Sequence, residues 1–159
     1  MVANNIRFSA YNKAQADIEE AARESAVHED IMHFTDGYDT LVGERGVSLS
    51  GGQKQRLAIA RAVINGPELL ILDDALSAVD AKTEEEILEN MQRDRANKTT
   101  IIAAHRLSSV MHADEIIVLE AGRIIERGTH DELLKQNGWY AEMWSLQQLE
   151  SKIGGENNG

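Results

Sequence analysis

Small and apolar positions (Ala14, Ile18, Ala21, Ala22, Ser25, Ala26, Ile31 and Met32) recur at roughly helical spacing between Lys13 and Phe34, with acidic residues between them. This periodicity predicts two short helices. Gly37 and the stretch Gly43-Glu44-Arg45-Gly46 interrupt it and predict a loop. Ser48 to Ser50 stand where a helix cap belongs, ahead of a predicted helix from Gln53 to Ile64 that ends at Asn65-Gly66-Pro67. Glu68 to Leu72 is a short, mostly apolar run closed by Asp73 and Asp74, which predicts a buried parallel strand delivering carboxylates at its C-terminal end. Lys82 to Arg95 reads as a charged helix, and Thr99 to Ala104 as a second buried strand, β-branched and followed by His105. Strand, helix and strand in this order imply a parallel crossover.

Beyond His105 the pattern changes. Glu115 to Leu119 and Arg123 to Glu126 flank Glu120-Ala121-Gly122 and predict a hairpin. Thr129-His130-Asp131-Glu132 is a capping box opening one last helix with Leu133, Leu134, Tyr140, Met143 and Trp144 on its apolar face. The tail from 151 to 159 is rich in glycine and asparagine and is expected to be disordered.

Composition narrows the chemistry. The 159 residues, 42% of them hydrophobic, suffice for one compact domain. A formal net charge of -11 with no basic patch argues against a nucleic-acid partner. The absence of cysteine excludes disulfides and thiolate metal sites. His28, His33, His112 and His130 show no metal-ligand spacing. No apolar run approaches the roughly 18 residues that cross a bilayer.

The most informative segment is Leu49-Ser50-Gly51-Gly52-Gln53, followed by Lys54-Gln55-Arg56. A serine and two glycines at a helix start expose backbone N–H groups to an anion such as a phosphate. Taken alone, this is equally a glycine-rich cap with no ligand. Its neighbours change the reading: Leu69-Leu70-Ile71-Leu72-Asp73-Asp74, Ser77-Ala78-Val79-Asp80 and Ala103-Ala104-His105-Arg106 follow in order. Together they resemble the signature motif, Walker B strand, D-loop and switch histidine of the ABC-transporter ATPases. Thr40-Leu41-Val42-Gly43-Glu44-Arg45-Gly46 resembles the loop that exporter-type members use to touch their membrane domains. DNA-repair and chromosome-organising relatives would show a long coiled coil, which is absent here.

The resemblance extends over roughly 2–149 and implies an α/β fold: an ABC α-helical subdomain over 1–65, then part of a P-loop NTPase core, a parallel sheet with helices, over 66–150. It implies that Ser50, Gly51, Gly52, Gln53 and Asp80 bind ATP, that Asp73 holds Mg²⁺, that Asp74 and His105 are catalytic, and that Gly43, Glu44 and Arg45 couple to the membrane. Implied partners are a second ABC ATPase domain and the transmembrane domains of an exporter, at the cytoplasmic face of the membrane.

Two departures from the family stand out. No Gly-x-x-x-x-Gly-Lys-Ser/Thr stretch occurs among the 159 residues, so the chain is expected to be a truncated domain, inactive alone and without tightly bound ATP or Mg²⁺. Asp74 stands where the family has a glutamate. Being one methylene shorter, it is expected to orient water poorly, as in one subunit of a heterodimeric multidrug-type exporter with unequal ATP sites. An alternative is a non-catalytic module that binds a partner ATPase or membrane domain. In the family's sheet a further strand lies between those read here as 99–104 and 115–119. Without it, either 115–119 closes against 99–104 or a second copy of the chain fills the gap, so that the isolated chain self-associates.

Overall fold

The computed structural model describes residues 1–43 and 46–156, and its contacts divide the chain into two units, Met1–Ala103 and Ala104–Gly159. In the first unit, α1 (Val2–Ile6), α2 (Gln15–Glu24), α3 (His28–Met32) and α4 (Gly51–Val63) precede β1 (Leu69–Asp73), α5 (Ala81–Asp94) and β2 (Thr99–Ala103). Ile6, Ile18, Ile31 and Ile87, from α1, α2, α3 and α5, are fully buried. Leu57, Ile59, Ala60 and Val63 of α4 complete the same core. Each valine, leucine or isoleucine side chain among them removed from water stabilises the fold by about 1.5–3 kcal/mol. Leu70, Leu72 and Met91 share that core.

β1 and β2 pair in parallel, with Leu69 opposite Thr99 and Asp73 opposite Ala103. Buried Arg95 ties the entry of both strands together, donating to the Pro67 carbonyl at 2.9 Å, the Thr99 carbonyl at 3.1 Å and the Thr100 hydroxyl at 3.0 Å. β1 departs from expectation in burial: Leu70 and Leu72 point into the core, while Leu69 and Ile71 are 51% and 61% exposed. Alternate residues face opposite sides of a sheet, and within this unit only one side is covered by the helices. An apolar run therefore did not mean a strand buried on both faces.

In the second unit, β3 (Ile116–Glu120) and β4 (Arg123–Gly128) form an antiparallel hairpin, followed by α6 (His130–Gln136) and α7 (Trp139–Glu156). Ala121 and Gly122 both have positive φ, +47° and +76°, the geometry of a tight two-residue turn whose twist matches the strands. Within this unit β3 pairs only with β4 among the described residues. Leu107, Ile116, Val118, Leu133 and Tyr140 form the core of this unit.

The single last helix expected from the capping box is two helices. Asn137 turns left-handed at φ +52° and ends α6. A Cβ on Gly138 would lie 1.8 Å from the Glu126 carboxylate, which accepts from the N–H groups of Trp139 at 2.5 Å and Tyr140 at 3.0 Å. Glu126 thus caps α7, with its negative charge at the positive end of the helix. At the other end α7 runs to Glu156, so residues 151 to 156, expected to be disordered, are helical. No proline interrupts them, and each added residue of a formed helix gains one backbone hydrogen bond.

Candidate functional site

The start of α4 is built by a reciprocal cap. Ser50 is extended (φ -64°, ψ 163°), its hydroxyl accepts from the Gln53 N–H at 3.1 Å, and its own N–H donates to the Gln53 side-chain oxygen at 3.0 Å. This capping box satisfies two backbone donors and leaves the N–H groups of Gly51 and Gly52 with no acceptor inside the helix. The Ser50 hydroxyl still holds a hydrogen to donate. Such a helix start offers one hydroxyl and two N–H groups as donors at the positive end of the helix.

Glycine at position 52 is required by what lies behind it, and Gly51 is tightly packed there. A Cβ on Gly52 would sit 2.8 Å from the backbone oxygen of Ala78, and one on Gly51 would sit 3.3 Å from the Ala78 Cβ. The segment Ser77–Asp80 thus packs directly on the first turn of α4. Gln55 fastens the two together: its side-chain oxygen accepts from the Ala78 N–H at 2.8 Å, and its nitrogen donates to the Ser77 hydroxyl at 2.8 Å and the Asp74 carbonyl at 3.3 Å.

Gln53 also reaches across to α3, donating to Asp30 Oδ1 at 2.9 Å. The other Asp30 oxygen takes an ion pair from Arg56 at 2.6 Å, and the same Arg56 nitrogen donates to the Ala26 carbonyl. Burial pushes the Asp30 carboxyl up, but hydrogen bonds from Arg56 and Gln53 outweigh this and hold it below the usual aspartate range.

At the C-terminal end of β1, Asp73 is exposed, with no side-chain hydrogen bond among the described residues. A free carboxylate suits Mg²⁺ as one hard oxygen ligand, with water and nucleotide oxygens supplying the rest. No group of three or more His, Asp or Glu side chains that could hold a metal occurs among the described residues, so Asp73 fits only as such a single ligand. Asp74 follows in the left-handed region at φ +51°, its N–H donating to the Ala103 carbonyl at 2.9 Å. An aspartate tolerates that region better than a branched residue does. Asp80 is exposed and caps α5, accepting from the Thr83 N–H at 3.0 Å and hydroxyl at 2.8 Å; these bonds hold its carboxyl below the usual range.

His105 belongs to the second unit, where it is exposed and its carbonyl accepts from Gln147 at 2.9 Å. The loop expected to couple to a membrane domain is tight: Val47 N–H donates to the Leu41 carbonyl at 2.8 Å, and Gly43 has φ +116°. A Cβ on Gly46 would strike the Leu41 carbonyl at 2.1 Å. Glu44 and Arg45 lie outside the described residues.

The structure thus brings Ser50, Gly51, Gly52 and Gln53 together with Ser77 and Ala78 and with the backbone of Asp74. Sequence reasoning missed Asp30 and Gln55. Neither has a local pattern, since their partners lie about 20 residues away along the chain.

A family profile described as ABC transporter matches residues 2–77. The chain is 55% identical over 152 residues to the multidrug resistance-like ATP-binding protein MdlA of Escherichia coli (strain K12), covering 96% of this chain and 26% of that protein. It is 51% identical over 148 residues to the probable multidrug resistance ABC transporter ATP-binding/permease protein YheI of Bacillus subtilis (strain 168), covering 93% of this chain and 25% of that protein. A solved structure of a bacterial Atm1-family ABC exporter with ATP bound superposes with a TM-score of 0.84 at 44% identity, over 92% of this chain and 26% of that one. The chain therefore spans about a quarter of the length of these relatives.

Proposed function

Since this chain belongs to the ABC transporter family, we propose that it forms the signature and Walker B half of an exporter ATPase domain. In this reading it presents Ser50, Gly51 and Gly52 to the γ-phosphate of an ATP gripped by a second ATPase domain. The observation that carries the reading is the start of α4, where the Ser50 hydroxyl, used as an acceptor by Gln53, and the N–H groups of Gly51 and Gly52 share a first turn that Ala78 packs against. Donors held in place before the phosphate arrives need no reorganisation as charge develops on it.

At the chain's own nucleotide site, Asp73 would hold Mg²⁺, which supplies charge neutralisation to the phosphates. Asp74 orients water poorly for want of a methylene, and His105 senses the γ-phosphate. Gln53 and Asp80 contribute to the ATP-binding surface, although here both side chains serve first as caps. Gly43, Glu44 and Arg45 contact the membrane domains of the exporter, on the cytoplasmic side. The unequal sites suit a heterodimer, with ATP-driven transport as the output.

The test uses the complete transporter with its partner domain. Ser50→Arg places a bulky cation where the phosphate docks and is expected to abolish turnover at the partner's site. Asp74→Glu is expected to raise hydrolysis at the chain's own site. Calorimetry on the 159-residue chain is expected to show no tight Mg-ATP binding, because the sequence contains no phosphate loop. Unchanged turnover with Ser50→Arg refutes the trans assignment.

A second reading, a non-catalytic module that docks on another domain, is favoured by one observation: Leu69, Ile71 and Ile101 line the uncovered face of the β1–β2 pair and are at least half exposed. An unchanged turnover of the complete transporter with both Ser50→Arg and Asp74→Glu would select it.

A further inference from the structure

The helix of Asp30 carries no motif, yet one carboxylate on it holds two residues of the signature helix. Gln53 and Arg56 lie three apart and so share one face of α4. Asp30 Oδ1 takes the Gln53 amide nitrogen at 2.9 Å and Oδ2 takes Arg56 at 2.6 Å. Arg56 also donates to the Gly52 carbonyl at 3.4 Å, inside the same turn.

The consequence lies in how a glutamine amide is oriented. Its oxygen only accepts and its nitrogen only donates, so a flip exchanges the two roles. Ser50 N–H needs the oxygen, at 3.0 Å. Facing a carboxylate on α3, the nitrogen has one favourable direction, and that leaves the oxygen aimed at Ser50. A charged acceptor makes this hydrogen bond roughly twice as strong as a neutral one. Arg56 keeps the carboxylate ionised and in place.

We infer that Asp30 is a positioning residue for the phosphate-facing turn Ser50–Gly52, acting through the side chain of Gln53. The inference rests on the proposed trans role of Ser50. It assigns Asp30 no contact with nucleotide. Its effect falls on how well Ser50 and the two glycine N–H groups are pre-set for the phosphate, and so on the concentration of ATP at which the partner's site works.

The test is steady-state ATP hydrolysis by the complete transporter with its partner domain. Asp30→Ala is expected to raise KM for ATP by about threefold to tenfold, the size of one hydrogen bond to a charged group felt indirectly, with a smaller change in kcat. Asp30→Asn, which keeps an acceptor for Gln53 and loses the ion pair, is expected to fall between. In a Gln53→Ala background, where the link is already cut, Asp30→Ala is expected to change KM by less than about twofold. A residue that merely stabilised the fold would add its full effect in that background, or would lower the melting temperature without moving KM; either result overturns the inference. Should Asp30→Ala fail to assemble, the same comparison with Asp30→Asn decides. Ser50→Arg separates the two levels. If it leaves turnover intact, the trans reading fails. If it abolishes turnover while Asp30→Ala leaves KM unchanged, only the positioning role fails.

Discussion

Replacing Gly52 by alanine tests whether the packing of the Ser77–Asp80 segment, and not backbone freedom, demands glycine at that position. The new Cβ would lie 2.8 Å from the Ala78 carbonyl oxygen, with the Ala78 carbonyl carbon at 3.6 Å and Val79 Cα at 3.8 Å. Reaching an ordinary contact requires the segment to retreat by roughly half an ångström. It is not free to do so: the Ala78 N–H is held by Gln55 at 2.8 Å and Val79 is buried. Forcing a methyl group into a packed position costs about 1–3 kcal/mol. Alanine recovers at most about 0.5–1 kcal/mol of helix propensity. The net expectation is a loss of about 1–2 kcal/mol, which at a urea slope of about 1–3 kcal/mol/M lowers the unfolding midpoint by roughly 1 M. Gly51→Ala, meeting only the Ala78 Cβ at 3.3 Å, is expected to cost less. The two variants also separate by rescue. Ala78→Gly removes the atom that Gly51→Ala meets but not the carbonyl that Gly52→Ala meets, so it should restore the first variant only. A Gly52→Ala chain as stable as the parent, or one rescued by Ala78→Gly, would refute the reasoning.

Arg95→Lys is expected to destabilise the chain by about 1–3 kcal/mol in urea unfolding, because a point ammonium cannot replace the three diverging bonds to Pro67, Thr99 and Thr100 and leaves part-buried acceptors without partners. Glu24 is pushed above its ordinary value by burial and by Asp94, against the lowering effect of Arg95 and Lys98, and one of its oxygens is buried without a hydrogen bond. The stability it contributes is present below the ordinary glutamate range and is lost as pH rises through its raised folded value. Glu24→Gln should therefore be more stable than the parent at pH 7, with the advantage fading near pH 4; thermal melts across that range check the sign. Asp80 has the opposite sign: the Thr83 bonds depress its carboxyl, so its contribution is present above the ordinary aspartate range and lost as pH falls through the folded value. Asp80→Ala is expected to speed amide exchange in the first turn of α5 at pH 7 and to make no difference in strong acid.

Much of this protein was legible along the chain because the relevant forces act over three or four residues. The capping boxes at Ser50 and Thr129, the helical spacing of α2, α4 and α5, and the hairpin glycine at Gly122 each depend on neighbours a turn away, and each is where the residue pattern puts it. The candidate phosphate-binding turn was legible for the same reason: a cap serine followed by two small residues is a local device. What local reasoning could not reach was decided by long-range packing. The strand β1 carries leucine and isoleucine on both sides, and only the placement of the helices leaves Leu69 and Ile71 in the open. Asn137 and Gly138 looked compatible with one continuous helix until Glu126, from a neighbouring strand, supplied the carboxylate that starts α7 afresh. The need for glycine at position 52 comes from a carbonyl 26 residues further along, and the orientation of Gln53 comes from an aspartate on another helix. A residue's local preferences are written in its type and spacing, but which atom stands behind it once the chain has folded is a property of the whole core.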